Sequence, residues 1–209
     1  MNDYLIDGQS HQPLFVFAHG AGAGMDHTFM QAVASGLANK GIQVVRFNFP
    51  YMVKRGEDGK KRPPDRAPKL LEAYTEVIEH FAQRGPIVIG GKSMGGRMAS
   101  SLADHPSVAG VACLGFPFHP PGKPENYKGV HLAHLSKPCL ILQGERDTFG
   151  KREEFAEFAL SGQVTTSFLP DGDHSFKPRK ASGYTEAENI EQAVEQLAAF
   201  IVEVYHGAK

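Results

Sequence analysis

The run Ile87-Val88-Ile89-Gly90-Gly91-Lys92-Ser93-Met94-Gly95-Gly96-Arg97-Met98 limits what this chain can fold into more than any other stretch. A short β-branched apolar segment enters it and a helix-compatible segment leaves it. Between them stands a G-x-S-x-G. A serine on a strand-to-helix corner takes up a cramped backbone, and glycines flank it because a Cβ there meets neighbouring main chain. By chance alone such a pentapeptide turns up in roughly 7 of 100 chains of this length at ordinary glycine and serine usage. The motif therefore needs context from the rest of the sequence.

That context is a regular alternation. Leu14-Phe15-Val16-Phe17-Ala18 is apolar at every position, the pattern of a strand covered on both faces. It runs into His19-Gly20-Ala21-Gly22-Ala23-Gly24, a loop that leaves backbone N–H groups accessible. Phe29, Met30, Val33 and Leu37 follow at helical spacing, with Asp26 placed to cap the helix and Gly41 to end it. A strand is expected over 42–49, closed by Pro50, then a polar, irregular stretch over 51–67. A helix over 68–84 carries Leu70, Tyr74, Val77, Ile78 and Phe81 on one face. Beyond the opening run come a strand over 108–114, a Pro-rich aromatic loop over 115–122 and a strand over 138–142. A helix over 152–160, a strand over 164–169 and a last helix from Thr185 complete the chain, with Glu188 three residues on as a capping box. Leu5-Ile6 is read as a weak edge strand. Strands alternating with helices imply parallel βαβ units, and no linker separates two cores, so the expectation is one α/β domain over 1–209.

Composition excludes more than it selects. A net charge of −1 over 209 residues exerts no general pull on nucleic acid or anionic membrane. No apolar run approaches the length of a membrane span and no secretory signal is visible, so the expected place is the cytosol. Cys113 and Cys139 lie inside apolar runs and are read as small buried hydrophobes. The histidines are scattered, with no H-E-x-x-H and no paired C-x-x-C, so neither metal nor cofactor is expected. Lys54, Arg55, Lys60, Lys61, Arg62 and Arg66 cluster, but acids are interspersed and no aromatics interleave. That segment is read as a solvated loop rather than a nucleic-acid site.

Function in open α/β sheets gathers beyond the carboxyl ends of the strands. Ser93, Asp147 and His174 each follow a strand. A serine hydroxyl is a poor nucleophile at neutral pH; it needs a base in reach, and the base needs an orienting group. His174 is the expected base and Asp147 its orienting acid. The oxyanion hole is assigned to the N–H groups of Ala21 and Met94. His19 is read as tying down backbone. His27 lies near the expected pocket mouth, and Phe116 and Phe118 are expected to line an acyl pocket. Lys92 is read as a solvated elbow side chain, with an alternative in which its charge favours anionic substrates.

With His19-Gly20, Gly91-Lys92-Ser93-Met94-Gly95, Asp147 and His174 in that order, the chain resembles the α/β-hydrolase superfamily. Within it, the segment 90–100 and the His-Gly-Ala-Gly loop are similar to a small subgroup. That subgroup includes the testis-expressed α/β-hydrolase, the hydrolase-like domain of an NSL histone-acetyltransferase complex subunit, and bacterial dienelactone-hydrolase-like proteins. The resemblance implies a three-layer αβα sandwich with six or seven strands and no cap domain. The N-terminal hairpin usual in the superfamily is reduced, because only 13 residues precede Leu14. It implies a serine hydrolase acting on a small-molecule carboxylic ester or thioester. A catalytically quiet binding or scaffold protein on the same fold is the alternative. Dienelactone hydrolases proper use a cysteine nucleophile, so Ser93 gives no ground for dienelactone chemistry.

Overall fold

The apolar runs become buried strands because each has helices to face on both sides. The computed structural model describes residues 3–208. Its strands are β1 Tyr4–Asp7, β2 Leu14–Ala18, β3 Gln43–Phe47, β4 Ile87–Lys92, β5 Val108–Leu114, β6 Cys139–Gly144 and β7 Val164–Leu169. They form one sheet in the order β1-β3-β2-β4-β5-β6-β7. β1 pairs antiparallel with β3 and every other neighbour is parallel. Five α-helices accompany them among the described residues: α1 Thr28–Asn39, α2 Pro50–Asp58, α3 Ala67–Phe81, α4 Met94–Ser101 and α5 Glu186–Gly207.

Alternation along β2 splits the core in two. Leu14, Val16 and Ala18 belong with Leu70, Tyr74 and Val77 of α3 and Met98 of α4. Phe15 and Phe17 belong with Phe29, Met30, Val33 and Leu37 of α1 and Leu197 and Ile201 of α5. Each such side chain contributes roughly 1.5–3 kcal/mol by leaving water. The result is a three-layer αβα sandwich with no inserted cap among the described residues. Of the expected N-terminal hairpin, one strand remains: β1, which seals the β3 edge through Tyr4↔Phe47 to Asp7↔Val44.

Four local expectations are corrected. Pro50 does not close a strand; it begins α2, within the stretch expected to be irregular, because a proline suits the first helical position. Only Tyr51 and Met52 of α2 are buried, so the sequence shows little apolar stripe there. α1 is capped by His27, whose Nδ1 accepts from the Phe29 N–H at 3.3 Å, and not by Asp26. The helix expected over 152–160 shrinks to a 3-10 turn, Arg152–Ala156, as Phe155 and Phe158 both turn onto the Phe118 ring.

Candidate active site

Parallel connection places the loops after β2, β4, β6 and β7 at one rim of the sheet, and Ser93 stands at its centre. Its backbone, φ 51° and ψ −115°, is a conformation that a residue with a Cβ rarely adopts and that costs about 1–3 kcal/mol. The neighbours leave no choice of residue. A Cβ on Gly91 would sit 2.3 Å from the Gly95 carbonyl carbon, and one on Gly95 would sit 2.5 Å from the Ala18 carbonyl oxygen. Helix α4 can thus start hard against β2 and β4, with the Met94 N–H as its first donor.

Two loops bring the partners. His174 Nε2 lies 2.7 Å from Ser93 Oγ, and His174 Nδ1 lies 2.8 Å from Asp147 Oδ2. Ser93, His174 and Asp147 therefore form one hydrogen-bonded line, the arrangement that lets a hydroxyl proton pass to an oriented imidazole. Asp147 is fully buried, with its charge met by three donors. Oδ2 accepts from His174 and from Gln143 Nε2 at 3.0 Å; Oδ1 accepts from the Phe149 N–H at 2.9 Å. The Phe149 ring stacks on the imidazole, centroids 4.2 Å apart. Burial lowers the His174 pKa from its ordinary value and the Asp147 hydrogen bond opposes that, so the imidazole is neutral near pH 7. Asp173, the sequence neighbour of His174, is occupied elsewhere: its Oδ1 accepts from the Ser175 and Lys177 N–H groups.

Lys92 overturns its reading as a solvated side chain. It is buried, and its Nζ donates to the His174 carbonyl, so a strand residue beside the serine holds the backbone of the histidine. No carboxylate lies within ion-pair distance among the described residues. Burial pushes the ammonium down to about 8.

A cavity of about 300 Å³ opens over Ser93. Its walls are Phe29, Met30, Phe149 and Lys92, with Ala21 and its neighbours on one side and His27 also lining it. His19 has the structural place expected. Its Nδ1–H donates to the Gly20 carbonyl at 2.6 Å and its Nε2 accepts from the Phe49 N–H at 3.0 Å. Burial takes its pKa down to about 4, which keeps it neutral.

Phe116 and Phe118 do not line the cavity. Both are fully buried, and Phe118 packs among Tyr127, Phe155 and Phe158. The Phe116 peptide instead serves the acid: its N–H donates to Gln143 Oε1 and its carbonyl accepts from Gln143 Nε2. Gln143, absent from the sequence-based candidates, is the one polar residue of an otherwise apolar strand, a signal that could have exposed it. A second serine–histidine contact, Ser100 Oγ to His131 Nε2 at 2.8 Å, is of another kind. Ser100 donates to the Arg97 carbonyl at 2.7 Å, so its oxygen is the acceptor from His131. No cluster of metal-ligating side chains occurs among the described residues.

A family model described as an alpha/beta hydrolase domain matches residues 11–202. The chain belongs to the alpha/beta hydrolase family. Solved structures of similar shape share little sequence with this alpha/beta hydrolase. Est1E from Butyrivibrio proteoclasticus, solved with ferulic acid bound, superposes with a TM-score of 0.72 at 16% identity, over 97% of this chain and 96% of that one. A dienelactone hydrolase from Anabaena variabilis gives 0.72 at 18% identity, over 96% and 90%. A monoacylglycerol lipase from Paleococcus ferrophilus gives 0.71 at 13% identity, over 98% and 99%. These likenesses establish the fold of this alpha/beta hydrolase. No helix among the described residues is long and apolar enough to cross a membrane.

Proposed function

We propose that this alpha/beta hydrolase is a serine hydrolase that cleaves a small carboxylic ester or thioester through an acyl-enzyme. Ser93 Oγ attacks the acyl carbon while His174 takes its proton. The Ala21 and Met94 N–H groups receive the oxyanion. His174 then returns the proton to the leaving alcohol or thiol, and the same base activates the water that frees the acid. Asp147 keeps Nδ1 protonated and steadies the imidazolium.

The observation that carries this reading is the unbroken line from Ser93 through His174 to buried Asp147, with the hydroxyl at the foot of a cavity. The apolar walls and the volume of about 300 Å³ favour a short acyl chain or a single aromatic ring. The ferulic acid held by the Butyrivibrio structure is in keeping with the latter. A fluorophosphonate probe is expected to label Ser93, and p-nitrophenyl acetate or butyrate to be hydrolysed. Ser93→Ala is expected to abolish labelling and to lower kcat by about 10⁵-fold or more with the fold retained. Native protein that resists the probe and leaves both esters intact would instead support the quiet scaffold.

A further inference from the structure

In the loop between β2 and α1, the carbonyls are taken and the N–H groups are not. The Gly20 carbonyl accepts from His19 Nδ1 and, at 3.2 Å, from Tyr51 Oη. The Ala21 carbonyl accepts from Tyr51 Oη at 2.9 Å, and the Gly22 carbonyl accepts from Arg55 Nη1 at 3.0 Å. No described acceptor takes the N–H of Ala21, Gly22 or Ala23. In a planar trans peptide the C=O of one residue and the N–H of the next point opposite ways. Three consecutive carbonyls drawn toward α2 therefore turn three consecutive N–H groups, those of Ala21, Gly22 and Ala23, away from it. All three residues line the cavity over Ser93.

We infer that α2 is a clamp for the oxyanion site: Tyr51 and Arg55, one turn apart on one helix face, hold back the Gly20, Ala21 and Gly22 carbonyls so that a row of N–H groups faces the reacting carbonyl. Both are positioning residues, and neither touches the substrate. The clamp rests on the reading of Ser93 as nucleophile and gives a role to part of the basic stretch that the sequence reading left to solvent. Tyr51 is suited to it. The ring is buried, its own N–H is held by Asp65 Oδ2 at 2.9 Å, and it meets the His19 ring edge-on at 5.9 Å. Its one hydroxyl proton is shared between these two carbonyls alone among the described residues, the Ala21 carbonyl being the nearer. Burial pushes that hydroxyl up to about 12, so it remains a donor over the whole working range. The Arg55 contact is solvent-exposed and contributes less.

The test compares Tyr51→Phe and Arg55→Met with wild type in two measurements. One is hydrolysis of p-nitrophenyl butyrate. The other is inhibition by an alkyl trifluoromethyl ketone. Ser93 adds to the ketone carbon, its proton passes to His174, and the new oxyanion enters the cradle. Removing one oxyanion donor outright costs about 10²–10³-fold in kcat, so loosening several is expected to cost about 10–100-fold in Tyr51→Phe, with KM within about twofold of wild type. Ketone affinity is expected to fall by the same factor as kcat/KM, which a general loss of packing would not reproduce. Arg55→Met is expected to lose about threefold in both. Unchanged kcat and ketone affinity in folded Tyr51→Phe overturns the clamp. If Tyr51→Phe does not fold, unchanged values in Arg55→Met overturn it instead. A wild-type chain that hydrolyses no ester overturns the hydrolase reading and the clamp with it. An active wild type beside an unaffected Tyr51→Phe overturns the clamp alone.

Discussion

On one side of Ser93 stand the ends of β6 and β7, which offer the Asp147 and His174 side chains; on the other stands the loop after β2, which offers main chain. The first side is braced by polar side chains reading backbone. Gln143 spans the Phe116 peptide, the Gly150 carbonyl and Asp147, and Asp171 grips Arg179 and Arg146 just ahead of His174. The second side is braced through its carbonyls, by His19, Tyr51 and Arg55. A loop that presents imidazole and carboxylate must be fastened beneath them. A loop that presents N–H groups must have its oxygens drawn the other way. Under the proposed serine mechanism the two walls therefore fail differently: the first loses a proton path, the second loses charge stabilisation.

Asp147→Asn is expected to break the first wall hardest. The amide keeps the shape but stabilises the wrong tautomer of His174, and kcat falls by about 10⁴-fold while the Tm stays close to wild type. A fall below about tenfold would mean that the buried acid only fills space.

The second wall is sharpened through pH and stability rather than turnover. The unfolded chain protonates His19 near its ordinary value of 6.5, whereas folded His19 resists until about 4. The unfolded state then binds more protons across that window, so native stability present above pH 6.5 is lost as pH falls toward 4. The loss amounts to roughly 2–3 kcal/mol. Urea unfolding of wild type and His19→Asn is expected to show a stability gap that narrows on acidification from pH 6.5 to 4.5; a constant gap removes this account.

The smallest effect expected is that of Lys92→Met, which touches both walls through β4. The Lys92 charge helps to hold the His174 pKa down. Its removal moves the acid limb of the kcat/KM profile to higher pH, with activity above that limb lowered only by the lost bond to the His174 carbonyl. A limb that stays in place means that the ammonium acts as a tether alone.

The first wall was far more legible in the sequence than the second. Ser93 and Asp147 each follow a strand whose apolar run announces it, His174 follows the mixed, half-buried strand β7, and parallel connection carries all three to one rim. The capping box of Thr185 and Glu188 is local and appears as expected. What was hidden depends on contacts between distant segments. Tyr51 and Arg55 sit in a helix that buries only two residues, so no periodicity marks it. Phe116 and Phe118 have the composition of a pocket wall but fold inward because the turn at Arg152–Ala156 supplies aromatic partners. Lys92 looks solvated by type; its burial goes with the His174 carbonyl, 82 residues away, and the Phe29 ring, both of which its ammonium meets.

The strand order is also one that could be laid down in the order of synthesis. β1, β3 and β2 are neighbours in the sheet and all lie before residue 48, so the first three strands can associate as soon as they leave the ribosome. From then on β4, β5, β6 and β7 join a single growing edge in the order of their synthesis. Each newcomer needs only the edge laid down before it, which keeps the long crossovers of a parallel sheet from competing with one another. Ser93 arrives with β4, the first of that series, and His174 with β7, the last, 81 residues later. A nascent chain thus carries Ser93 for more than a third of its length before the imidazole that meets it has been made.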